Sequence, residues 1–204
     1  NYGGYIVRHS VDSIYVIYID KKQEKSIARF TYTSTNLNYP CYMSTVSSSL
    51  SDEEKELLTI KIKMLNQLSN KKYDIRIPQG FSPNFILIKE NTMFKLYMIM
   101  GTSEPGVIPF GNDYLFTANS KGKIKNWTQF HSRMIPVMAE VDGQKVSEAT
   151  HSHLRTTPYI TATDICTFRL YAHYTELEKF SVYSPAIGKT MTYILETNTI
   201  EIEE

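Results

Sequence analysis

Apolar positions along this chain follow first a two-residue and then a helical rhythm. Residues 13–19 (SIYVIYI) and 27–33 are dense in β-branched and aromatic side chains, the composition of half-buried strands. A polar stretch over 34–49, with Asn36, Asn38, Pro40 and a serine run, interrupts the pattern and reads as a loop or a boundary. After it, Leu58, Ile62, Leu65 and Leu68 recur at helical spacing, while Lys55, Lys61, Lys63 and Asn66 fall mostly elsewhere. Ser51 with Glu54 three residues on forms a capping box, in which each side chain satisfies the other residue's free amide. The spacing therefore predicts an amphipathic helix over 51–69.

Short strand-like runs follow at 73–77, 85–88, 93–100, 113–118, 124–127 and 133–138, and again at 180–183 and 191–195. Turn residues separate them, notably Asn119-Ser120-Lys121-Gly122 and Asp142-Gly143. A second helix is predicted over about 162–174. Many strands with two helices point to an α+β or three-layer α/β fold around a mixed β-sheet. The expected organisation is an N-terminal strand region and loop, 1–48, followed by a main α/β domain, 49–204.

Composition narrows the picture further. The 204 residues suffice for one domain, with or without an extra lobe, and for a real hydrophobic core. Tyrosine occurs 15 times against one tryptophan, which suits half-buried strands whose hydroxyls stay wet. With 22 basic and 21 acidic residues, net +1, there is no electrostatic case for a nucleic-acid partner or an acidic membrane surface. No run approaches the ~20 apolar residues of a membrane span. No signal peptide is visible, and the abrupt start at Asn1 suggests a trimmed mature chain. Cys41 and Cys166 leave pairing open, and the absence of Cys-x-x-Cys excludes a thiolate zinc ribbon.

Candidate chemistry concentrates between His151 and Asp164. His151 and His153 are two apart, so in a strand they project from one face. Asp164 falls early in the second predicted helix, where a folded-back loop brings its carboxylate to the same point. Two histidines and a carboxylate form a ligand set for a catalytic metal with an open position. Zinc held there activates water as a nucleophile.

This spacing resembles the JAMM metallopeptidases (also called MPN-plus or JAB), which carry His-x-His-Pro, six residues, then Ser-x-x-Asp. Here His151-x-His153 is followed by seven residues and Thr161-x-x-Asp164, the same count, over about 45 residues from Thr150 to Leu195. The resemblance implies zinc on His151, His153 and Asp164, with Thr161 in the serine's oxyanion role. It implies a JAMM/deaminase-like core and a peptide or protein substrate. The family's proline is Leu154 here. Its catalytic glutamate lies upstream, where Glu90 and Glu104 fall, and Glu104 is the candidate base. The stretch Gly111-Asn112-Asp113-Tyr114-Leu115, with His131, the His-Ser-His-Leu run and residues 160–167, is also similar to an uncharacterised family of bacterial proteins. That likeness adds His131 to the residues of interest.

Each feature also has a plain structural explanation. Thr161-x-x-Asp164 is a good capping box by itself, Gly111-Asn112-Asp113 suits a tight turn, His131 suits a surface or capping position, and Met93, Met98 and Met100 suit core filling. Two expectations result. One is a JAMM-like zinc-dependent hydrolase of peptide or isopeptide bonds, or a relative that has lost activity. The other is a non-enzymatic binding or structural domain of a bacterial envelope or secreted protein, with tyrosine-rich strands as its recognition surface.

Overall fold

The computed structural model describes residues 2–203. Strands β1 (Tyr2–His9), β2 (Ser13–Asp20) and β3 (Lys25–Thr33) open the chain, with short β4 (Tyr42–Ser44) and β5 (Ser48–Ser49) after them. Helix α1 (Asp52–Leu65) follows, then β6 (Phe81–Glu90), β7 (Met93–Thr102), β8 (Val107–Gly111), β9 (Tyr114–Ala118) and β10 (Ile124–Gln129). Next come β11 (Met134–Met138), the two-residue strands β12 (Glu140–Val141) and β13 (Gln144–Lys145), and β14 (Glu148–Ser152). Helix α2 (Ala162–Tyr171) leads to β15 (Lys179–Ser184), β16 (Lys189–Ile194) and β17 (Thr199–Ile202).

The chain divides into two units. The first comprises Asn1–Ile75, Ile86–Leu96 and Phe116–Trp127; the second comprises Arg76–Phe85, Tyr97–Leu115 and Thr128–Glu204. Residues 34–49 lie inside the first unit. A further sheet runs in the order β10-β9-β7-β6.

In the first unit, β1, β2, β3 and β4 form an antiparallel sheet, with β5 also on β3. Its alternation turns Ile6, Ile17 and Ile19 inward. Helix α1 starts at the predicted cap: Ser51 Oγ accepts the Glu54 amide and Glu54 Oε2 accepts the Ser51 amide. Glu54 also forms a two-pronged ion pair with Arg29 of β3, at 2.5 and 3.0 Å. The buried stripe of α1 is Leu57, Ile60, Lys61 and Met64. It is rotated from the predicted stripe, of which Leu58, Ile62 and Leu65 are half-buried. Lys61 lies on this inner face, where its Nζ donates to the Tyr5 carbonyl at 2.8 Å and sits over the Tyr5 ring.

In the second unit, β14, β15, β16 and β17 form a sheet. The pair β14 and β15 is parallel, whereas β15–β16 and β16–β17 are antiparallel. A parallel neighbour requires a crossover, and α2 supplies it. Phe110, Phe168 and Phe180 pack together beneath this crossover, with ring centroids 5.0–6.3 Å apart. Ile108, Ala149, Ala172, Leu177, Val182, Met191 and Tyr193 complete the core.

The expected α+β or three-layer α/β architecture with a JAMM/deaminase-like core is not what forms. The chain is β-rich: 17 strands stand against two α-helices among the described residues. A three-layer α/β fold needs helices over both faces of a sheet. One helix of 14 residues and one of 10, in different units, cannot provide those layers. The strand predicted over 73–77 is instead a short 3-10 turn, Lys71–Tyr73, followed by irregular chain. Helix α1 ends at Leu65 rather than near 69. The second helix meets its predicted end through a 3-10 turn, Ala172–Tyr174. No helix among the described residues is long and apolar enough to cross a membrane. Both cysteines are unpaired and exposed.

Candidate metal centre

Four side chains of the second unit converge on one point. Strand β14 alternates, so Ala149 and His151 face inward while Thr150 and Ser152 face out. His153, one residue past the strand, keeps that face because its amide still bonds to the Tyr183 carbonyl of β15. Asp164 sits in the first turn of α2. Its Oδ2 accepts the Thr161 amide at 2.8 Å and the Thr161 hydroxyl at 2.7 Å, while Thr161 Oγ1 accepts the Asp164 amide. The predicted capping box is therefore present, and its carboxylate also turns inward. The fourth member is His131, from the segment between β10 and β11. His131, His151, His153 and Asp164 are all buried, and their ligand atoms lie within 4.8 Å of one another.

Hydrogen bonds on the outer side of two rings fix which nitrogen faces the cluster. His153 Nδ1 lies 3.1 Å from the Thr157 carbonyl. A carbonyl only accepts, so Nδ1 carries a proton and Nε2 is the nitrogen left facing the cluster. His131 Nδ1 lies 2.8 Å from Asp113 Oδ1, with the same consequence. Yet His131 Nε2 and His153 Nε2 are only 2.9 Å apart. Two lone pairs at that separation repel unless a proton or a metal ion stands between them.

The other contacts favour a metal. His151 Nε2 is 3.3 Å from His153 Nε2. Asp164 Oδ2 is 3.2 Å from His153 Nε2, and Asp164 Oδ1 is 3.4 Å from His131 Nε2 and 3.6 Å from His151 Nε2. Donors placed tetrahedrally at ~2.0–2.1 Å from one ion stand about 3.3 Å apart. A proton satisfies one pair of donors, whereas an ion satisfies all four. Asp164 Oδ1 has no hydrogen bond despite being buried, which is costly for a carboxylate oxygen unless a cation faces it.

The electrostatics favour metal-ready forms at Asp164 and His151, and the charged ring at His131. Burial alone pushes the Asp164 carboxyl upward, but the close imidazoles of His151, His153 and His131 outweigh it and hold the group well below the usual carboxylate range. Burial is the largest influence on His151 and depresses it, favouring the neutral ring that a metal needs. Burial also opposes charge on His131, but the hydrogen bond and charge of Asp113 prevail and raise it.

The cluster is reached from a cleft of about 650 Å³ in the same unit. His131 and His151 border it, with Arg133, Pro136, Thr150 and Ser152 along its walls. The predicted residues His151, His153, Thr161 and Asp164 thus come together, with Thr161 bonded to Asp164. Glu104 does not join them. It is exposed in the loop between β7 and β8, where its amide bonds to the Thr102 hydroxyl. Glu90 is also exposed and pairs with Lys95. His131 is a buried cluster member rather than a surface or capping residue. Spacing offered no signal for it, because it reaches the site from a different element. Met98 and Met100 are core residues. No family model, curated protein or solved structure matches this chain.

Proposed function

We propose that this protein is a metalloprotein that holds a divalent transition-metal ion, zinc by its donor chemistry, through His131, His151, His153 and Asp164. The observation that carries this reading is the 2.9 Å approach of two imidazole nitrogens whose outer nitrogens are both committed as donors. Imidazole and carboxylate donors at tetrahedral spacing suit zinc best among the common biological ions. The test is metal analysis of protein purified without an affinity tag. One zinc per chain is expected, with His153→Ala and Asp164→Ala each losing it. Absence of stoichiometric metal, together with a thermal midpoint indifferent to chelators, overturns the assignment.

For the centre's role we propose metal-dependent hydrolysis of a peptide or isopeptide bond. The adjoining cleft, where His131 and His151 meet solvent-accessible space, supports it, and so does the His-x-His count to Thr161 and Asp164. When bound, zinc supplies Lewis acidity to a substrate carbonyl and an activated water. The chain's own part is to fix the donors: Thr161 anchors Asp164, Thr157 anchors His153 and the cleft admits substrate. Chelator-sensitive cleavage of fluorogenic peptide or isopeptide substrates is the expected result.

A second reading rests on His131. It fills the position that a three-ligand catalytic site leaves open, which favours a closed centre in a non-enzymatic binding domain. That reading predicts full metal content, no turnover, and a cobalt-substituted spectrum unchanged by added anions.

A further inference from the structure

Beyond its ligands, the centre contains a buried carboxylate that touches no proposed ion. We infer that Asp113 is a positioning residue, which holds His131 in the tautomer and orientation that make it a ligand; the inference rests on the metal reading above. Asp113 is buried immediately before β9 and uses both carboxylate oxygens. Oδ1 accepts from His131 Nδ1 at 2.8 Å, and Oδ2 accepts from the Thr163 hydroxyl. Thr163 Oγ1 lies 2.7 Å from Thr161 Oγ1, which is bonded to Asp164. Asp113 thereby holds both His131 and Thr163, and Thr163 packs against the Thr161 that holds Asp164. A carboxylate behind a ligating imidazole fixes the ring and raises its basicity.

The local backbone is shaped to aim this residue. Gly111 and Asn112 both have positive φ, +79° and +50°, a turn that glycine and asparagine tolerate best. The Asn112 side chain is tied to the Arg76 carbonyl at 2.7 Å. The Asn112 amide donates to the Arg133 carbonyl and the Asp113 carbonyl accepts from the Phe130 amide, each at 3.0 Å. These two bonds grip the chain on either side of His131. A surface turn needs none of this. Two consecutive left-handed residues, a buried amide anchor and a buried carboxylate at the tip form a device for placing one imidazole.

The experiment measures zinc affinity by chelator competition and records the visible spectrum of the cobalt-substituted protein, for wild type and Asp113→Asn. Asparagine keeps the shape and a single acceptor but loses the charge. Its zinc affinity is expected to fall 10- to 100-fold, about the range for such partners, with a changed cobalt spectrum and an unchanged apo-protein circular dichroism. Should Asp113→Asn not fold, Thr163→Val carries the test. It removes the hydroxyl behind Asp113 and is expected to lower affinity about 5-fold, the worth of one hydrogen bond, with Thr163→Ser restoring it. Equal affinity and an identical cobalt spectrum in wild type and variant overturn the inference alone. A wild type that binds no zinc or cobalt overturns the metal reading with it.

Discussion

At the scale of single residues, close approach makes some side chains irreplaceable. A Cβ on Gly111 would collide with the Arg133 carbonyl and stand 3.3 Å from the Ile135 side chain, at a φ of +79°. Gly188 has a similar φ, +66°, with nothing within 4 Å of that position. Gly188→Ala should therefore cost only the left-handed backbone penalty, about 1–2 kcal/mol. Gly111→Ala should cost clearly more in denaturant unfolding, because a backbone oxygen cannot step aside. Equal losses would refute the argument from crowding. Lys61 offers a different check. Burial lowers its ammonium from 10.5 to about 8, so between those values the unfolded chain holds a proton that the folded chain has released. Stability then rises with pH through this window, and below about 8 the fold carries the full desolvation cost. Lys61→Met should gain most over wild type near neutral pH, with its advantage shrinking as pH climbs toward 10.5. A difference that stays flat across that range, read from unfolding titrations, would remove the claim.

At the scale of elements, local signals were legible and pairing was not. Both helices begin where capping boxes place them, at Ser51 and Thr161, because a cap is written within four residues of sequence. Strands of two to five residues, such as β5, β8, β12 and β13, carry too few residues for a period to show. They exist by virtue of partners elsewhere in the chain, so the helical share was overestimated and the fold class misjudged. The same division runs through the centre. His151, His153 and Asp164 follow from a strand alternation and a helix cap, both local. His131 and Asp113 reach it by tertiary placement, and Glu104 was assigned only by likeness of sequence order. Thr161 joins the two levels, since it caps α2 and also holds Asp164. Thr161→Ala should cost about 1 kcal/mol, the usual worth of an N-cap, and should weaken metal binding too. Thr161→Ser should recover both. Ser51→Ala should cost a similar amount of stability and leave metal affinity unchanged, which separates capping from ligand support.

At the scale of the whole molecule, the question is what a bound ion would do to a unit whose core and ligands share the same strands. His151 sits directly on the aromatic core, its ring centroid 5.2 Å from Phe110 and 6.1 Å from Phe180. Three imidazoles and a carboxylate forced together without a cation are a local cost, so the ion's binding energy enters as folding energy. A ligand that binds only the native state, at 1,000 times its dissociation constant, adds about 4 kcal/mol of stability. Hydrogen exchange locates that gain. Amides of β14, α2 and β15 that exchange through openings of the site should slow by up to about three orders of magnitude at saturating zinc. Amides in the turn at Asp142 and Gly143, which are exposed and far in chemistry from any ligand, should exchange as before. In His153→Ala the zinc-dependent slowing should vanish throughout β14 and α2. If zinc leaves those amides unchanged in the wild type, the four side chains do not meet around an ion, and their proximity belongs to packing alone.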